Sequence, residues 1–83
     1  MMRFYFHTQT DIRTTDTEGV EYPSYMEARK DAIRTCGQMM EDAPETFWDS
    51  RPWSVTVTDA RGLILWEIVL DGQASAAGQS ITS

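Results

Sequence analysis

One histidine and one cysteine occur in the chain, His7 and Cys36. A thiolate beside an imidazole base is the chemistry of covalent catalysis, and it needs both groups within hydrogen-bond reach. His7 lies in an aromatic stretch of strand period. Cys36 lies on the apolar side of a helical stretch. Those positions send the two to opposite sides of a sheet, so a Cys–His dyad is not expected. Cys36 reads as a small core hydrophobe, and His7 as a strand residue able to exchange a proton near neutral pH.

The acids Asp11, Asp16, Glu18 and Glu21 are the second constellation. Gathered together they suit a hard cation, but they do not follow the Asp-x-Asp-x-Asp-Gly pattern of a calcium loop. Asp16 and Glu18 with Arg29 make a small-ligand or metal-binding pocket one reading of this region. The other is structural: Gly19 at positive φ in a turn, and an ion pair from Arg29 to Asp16, Glu18 or Glu21 that fixes loop to helix. The chain has too few His and Cys for a zinc site. It has no phosphate-binding loop, dinucleotide fingerprint or nucleophile elbow. No catalytic residue, cofactor or dedicated metal site is expected.

These groups must be held by a scaffold, and residues 24–43 are its centre. Ser24 and Glu27 form a capping box at the start of a helix. At 3.6 residues per turn, Tyr25, Ala28, Ala32, Cys36, Met39 and Ala43 share one stripe, with Met26, Ile33 and Met40 widening its flank. Glu27, Lys30, Asp31, Arg34, Gln38 and Glu41 face the other way. Pro44 ends the helix, because the residue before a proline is disfavoured in helical conformation. Gly37 sits mid-helix, where either a close backbone approach to a strand or a tolerated defect would account for it. Arg29 falls within the apolar arc and either snorkels to water or finds a carboxylate.

Strands flank this helix. Residues 3–8 alternate, with Phe4 and Phe6 on one side and Tyr5 and His7 on the other. Residues 9–19 are polar and turn-rich. Residues 20–22 form a short second strand, and 45–52 read as a loop carrying Phe47 and Trp48. Residues 53–58 alternate strictly. Residues 59–62 make a hairpin turn, and 63–70 form the last strand. Glu67 must face water, which sends Ile64, Trp66, Ile68 and Leu70 inward.

The fold class is therefore α+β: two layers, an antiparallel sheet of three to four strands with one long helix on one face, in the order β-β-α-β-β. The core expected is Phe4, Phe6, Ala28, Ala32, Cys36, Trp53, Val55, Val57, Ile64, Trp66 and Ile68. Residues 1–71 form one domain. Residues 72–83, poor in bulky apolar side chains, read as a disordered tail. The uncovered sheet face bears Tyr5, His7, Ser54, Thr56, Thr58, Leu63, Leu65, Glu67 and Val69. Exposed patches of this kind often mark contact surfaces; the alternative is partial cover by the loop bearing Phe47 and Trp48. Tyr5, His7, Leu65 and Glu67 are the expected contact residues, with Trp48 at the rim.

Seven Lys and Arg against thirteen Asp and Glu give a net charge of −6. Direct nucleic-acid binding, which draws its affinity from cations on phosphates, is not expected. No apolar run approaches a membrane span and no secretory leader is visible. A lone cysteine suits a reducing compartment, so the cytoplasm is expected.

Arg3-Phe4-Tyr5-Phe6-His7, Asp16-Thr17-Glu18-Gly19-Val20-Glu21, Pro23 with Glu27-Ala28-Arg29, and Trp53-Ser54-Val55-Thr56-Val57-Thr58-Asp59 with Gly62 occur in that order. Together they resemble a family of short bacterial proteins, common in alphaproteobacteria, classed only as a domain of unknown function. The resemblance covers residues 3–70. It implies a small cytoplasmic domain and brings no activity or site residues with it. The Phe47-Trp48 linker departs from that family. The shape is also similar to the small β-β-α-β-β domains of some antitoxins. The function expected is a non-catalytic interaction domain that self-associates as a homodimer, through its open sheet face or an edge strand. A ligand- or metal-binding module and an antitoxin-like regulatory partner of another protein are the alternatives.

Overall fold

The computed structural model describes residues 1–82. Its elements run β1 (Met2–Gln9), β2 (Arg13–Thr14), β3 (Val20–Tyr22), α1 (Tyr25–Asp42), α2 (Pro44–Ser50), β4 (Trp53–Thr58), β5 (Ile64–Leu70) and α3 (Ala76–Thr82). The architecture is α+β, an open antiparallel sheet with helices.

The cap of α1 forms as its residues require. Ser24 is extended, and its hydroxyl accepts the Glu27 N–H at 3.2 Å. Glu27 itself turns to Lys30, at 3.5 Å. Ala28, Ala32 and Cys36 form the buried stripe and pack on Phe4, Val55 and Val57. Two alanines with no exposed surface let the helix lie close to the sheet, which a larger side chain would hold apart. Gly37, by contrast, faces open space, with nothing within 4 Å of where a Cβ would stand. Of the two readings of Gly37, a close approach to a strand and a tolerated defect, the open space leaves the second.

Pro44 does more than end α1. It opens α2, because its fixed φ and missing N–H suit a first helical turn. The stretch expected as a loop is thus a second helix. It buries Phe47, whose ring stands edge-on to Trp53 at 5.3 Å. The Trp53 indole N–H donates to Ser50 Oγ at 2.8 Å, so that buried ring keeps its polar atom satisfied.

The sheet has five strands, not three to four. Its order is β2-β1-β4-β5, with β3 also on β1. β1 is central: Tyr5 to Gln9 pair with β4, while the other side takes β3 at Met2 to Phe4 and β2 at Thr8 and Gln9. β2 is two polar residues long and carries no alternation to read.

A register shift in the β4–β5 ladder alters the face assignment. Val57 opposes Trp66, but Thr58 opposes Ile64, so Leu65 is an extra residue. Such a bulge reverses the side-chain parity beyond it. Leu65 joins Trp66 against the core, and Ile64 turns out with 61% of its surface exposed. The expectation of Ile64 inward and Leu65 outward is reversed. Phe6, Trp66, Ile68 and Leu70 pack on the core while remaining partly exposed.

The segment expected to be disordered contains α3. Ala76 and Ala77 are strong helix formers, Ser75 Oγ accepts the Gly78 N–H, and the Gln79 N–H bonds the Ser75 carbonyl.

Candidate interaction surface

Phe6 and Val57 point toward α1, so Tyr5, His7, Ser54, Thr56, Thr58, Ile64, Glu67 and Val69 line the other face of the ladders. Along this face runs a concavity of 470 Å³, bordered by His7, Gln9, Arg13, Thr56, Thr58 and Glu67 among others. Hydroxyls of Thr8, Thr15, Ser54, Thr56 and Thr58 line it together with apolar surface such as that of Ile64. Thr56 Oγ1 donates to Glu67 Oε2 at 3.3 Å.

His7 is fixed at both ring nitrogens. The Asp16 N–H donates to Nδ1 at 3.1 Å, which makes Nδ1 an acceptor and leaves the proton on Nε2. Nε2 lies 3.2 Å from the hydroxyl of Thr58, which is itself buried on this face. Cys36 lies in the core under α1, on the opposite side of the sheet. Burial pushes its thiol pKa up, away from the thiolate that nucleophilic chemistry requires.

The loop between β2 and β3 is organised by Asp16. Residues 5–7 of β1 have no strand partner on this side, because β2 and β3 pair only with its ends. The Asp16 carboxylate fills the gap. Oδ2 accepts the Phe6 N–H at 3.1 Å, and Oδ1 accepts the N–H groups of Glu18 and Gly19, each at 3.0 Å. Burial alone would raise the Asp16 pKa. The three backbone donors and the neighbouring His7 outweigh it and hold the pKa below its ordinary value. Gly19 closes the turn at φ +72°, where an added Cβ would meet the Phe4 carbonyl oxygen.

The expected Asp16, Glu18 and Arg29 cluster is not assembled. Arg29 lies with its guanidinium 5.9 Å from the centre of the Trp66 ring. No carboxylate among the described residues pairs with it. Arg3 takes the role foreseen for Arg29: it donates to the Glu18 carbonyl at 2.6 Å and pairs with Glu21 at 3.4 Å. Arg3 was visible as a strand residue, but the β1–β3 register that sets it opposite Glu21 was not. No group of three or more His, Cys, Asp or Glu that could hold a metal occurs among the described residues.

Of the remaining expected contact residues, Tyr5 packs beside the Gly19 turn. Glu67 is exposed. Trp48 is 56% exposed and lies against Gly72, just beyond β5. Leu65 is withdrawn to the core side by the bulge.

What sequence reading missed is the contrast between the two sheet edges. One edge consists of strands of two and three residues with the Asp16 turn between them. The other is β5: seven continuous residues, ILWEIVL, with one charge and no proline. Ile64 and Val69 on it are exposed, as is Leu63 just before it. Proteins ordinarily blunt such edges.

A family model described as a domain of unknown function, DUF6894, matches residues 3–71. No curated protein and no solved structure matches the chain. No helix among the described residues is long and apolar enough to cross a membrane.

Proposed function

The chain belongs to the DUF6894 family, a domain of unknown function, and from that premise we propose that it is a non-catalytic protein-interaction module that associates through the edge of β5. The observation that carries this reading is the unequal treatment of the two edges. One is cut short and capped by a side chain; the other offers a full row of backbone donors and acceptors beside exposed Ile64 and Val69. Strand addition at such an edge draws affinity from main-chain hydrogen bonds and specificity from alternate side chains. Glu67 is the mid-strand contact residue and Trp48, beside Gly72 just past the strand, the rim residue. The reading places the protein in the cytoplasm, where its single thiol stays reduced.

The test uses the tagged full chain in native extract of its host. Ile64→Lys with Val69→Lys puts two charges on an edge whose side chains are already exposed, so the fold should survive. Wild type should migrate above the monomer mass, and the double variant at it. Identical migration of the two would end the proposal.

A further inference from the structure

On the flank of α1 that faces β5, the apolar row did not find a partner within the chain. Two contacts orient the helix. Arg29 and Tyr25 stand over Trp66 of β5, while Asp31 on the other flank accepts the hydroxyl of Tyr22 in β3. Ile33 follows Arg29 by four residues and so lies on the β5 side. Met26 and Met40 lie seven residues either side of Ile33. All three are exposed: 58%, 59% and 36% in chain order. A stripe repeating every seven residues is the pattern of a helix that packs beside another helix.

Resting on the reading of β5 as the contact edge, we infer that the partner is a second copy of this chain, joined about one two-fold axis that continues both layers at once. β5 pairs antiparallel with the partner's β5, and α1 lies antiparallel beside the partner's α1.

The two layers agree on where the axis passes. α1 runs along β5, since it begins over Trp66 and is followed by α2, which packs on Trp53 opposite Leu70. Ile68 lies two strand residues past Trp66, about 7 Å. That distance is roughly four to five helical residues. Counted from the turn between Tyr25 and Arg29, it reaches the turn that carries Ile33. An axis through Ile68 in the sheet therefore passes close to Ile33 in the helix layer, and sets Met26 against the partner's Met40.

Register and charge select the same axis. Residues opposed in a ladder share a face, so an axis through Glu67 would oppose two carboxylates. An axis through Ile68 opposes Glu67 to Val69, and Trp66 to Leu70. Each copy carries −6, so the contact must avoid acid. Met26, Ile33, Met40 and β5 bring only one acid, Glu67, which lies on the sheet face away from α1. Six large apolar side chains stand exposed along α1 and on or just before β5, Met26, Ile33, Met40, Leu63, Ile64 and Val69, a patch that a second copy covers in one contact of the ~800 Å² per partner typical of a standard interface.

Sedimentation equilibrium of the purified full chain tests the inference. Wild type should show twice the chain mass. Ile33→Glu, at an exposed helix position, should keep its helical circular dichroism and weaken the dimer about thirtyfold or more, as loss of a central anchor does. Ile33→Cys should form a disulfide-linked dimer on oxidation. A wild type that stays monomeric at millimolar concentration would overturn the inference, as would a dimer unmoved by Ile33→Glu. If the purified chain is monomeric while the β5 lysine variants still lose a partner in extract, the second copy is excluded and the edge reading stands. If those variants lose nothing, the edge reading itself has failed.

Discussion

Gly19→Ala and Gly37→Ala are the same chemical change with opposite expected signs. At Gly37 the backbone is helical, the site is exposed and nothing stands within 4 Å of the new methyl. Alanine there reduces the freedom of the unfolded chain, for a gain of about 0.5–1 kcal/mol. At Gly19 φ is +72° and the Cβ would meet the Phe4 carbonyl oxygen at 2.8 Å. The left-handed conformation costs a non-glycine residue about 1–2 kcal/mol. The Phe4 oxygen cannot retreat, because Phe4 is 1% exposed and paired with Val20. The turn must move instead, and the Asp16 carboxylate then loses one or more backbone donors at about 1 kcal/mol each. The sum for Gly19→Ala is about 3–4 kcal/mol of destabilisation. Urea unfolding of both variants at one protein concentration reads the difference as midpoint shifts of opposite direction at unchanged slope. A Gly19→Ala variant within about 1 kcal/mol of wild type would show that the Asp16 turn is not held as described.

Three further outcomes follow from the same geometry. The Asp16 pKa is depressed in the fold, so its stabilising effect is full above the unfolded carboxylate value and fades as pH falls through the folded one; Asp16→Asn should flatten that acid limb of a pH–stability profile. Burial, together with the hydrogen bond and charge of Asp31, pushes the Tyr22 hydroxyl up to about 12. Its effect is therefore full below the ordinary tyrosine value of 10 and lost as pH rises from there through about 12, and tyrosinate absorbance of wild type against Tyr22→Phe should show one late-titrating ring. Cys36, buried with a raised pKa, should react with a thiol reagent only at the rate at which the domain opens.

The helix was legible because its signals are local. Ser24 and Glu27 mark the cap, and Ala28, Ala32 and Cys36 repeat along a stripe that the fold buries. The strands of β1 and β4 were legible for the same reason, since their alternation survives in Phe4, Val55 and Val57. The bulge was not, because period two assumes that each residue has one partner, and Leu65 has none of its own. That one residue exchanged the faces of Ile64 and Leu65, and with them a predicted contact. α2 was hidden by Pro44, which read as a stop and is also a start. The substitution of Arg3 for Arg29 depends on pairing between segments far apart in sequence, which no local pattern carries.

The two abbreviated strands beside β1 decide how far assembly can run. A sheet with two receptive margins would recruit neighbours at each and lengthen without limit. Here one margin is already occupied by a carboxylate holding the Phe6 amide, so under the proposed pairing a copy that joined at β5 would leave no receptive margin on either side, and growth would end at the pair.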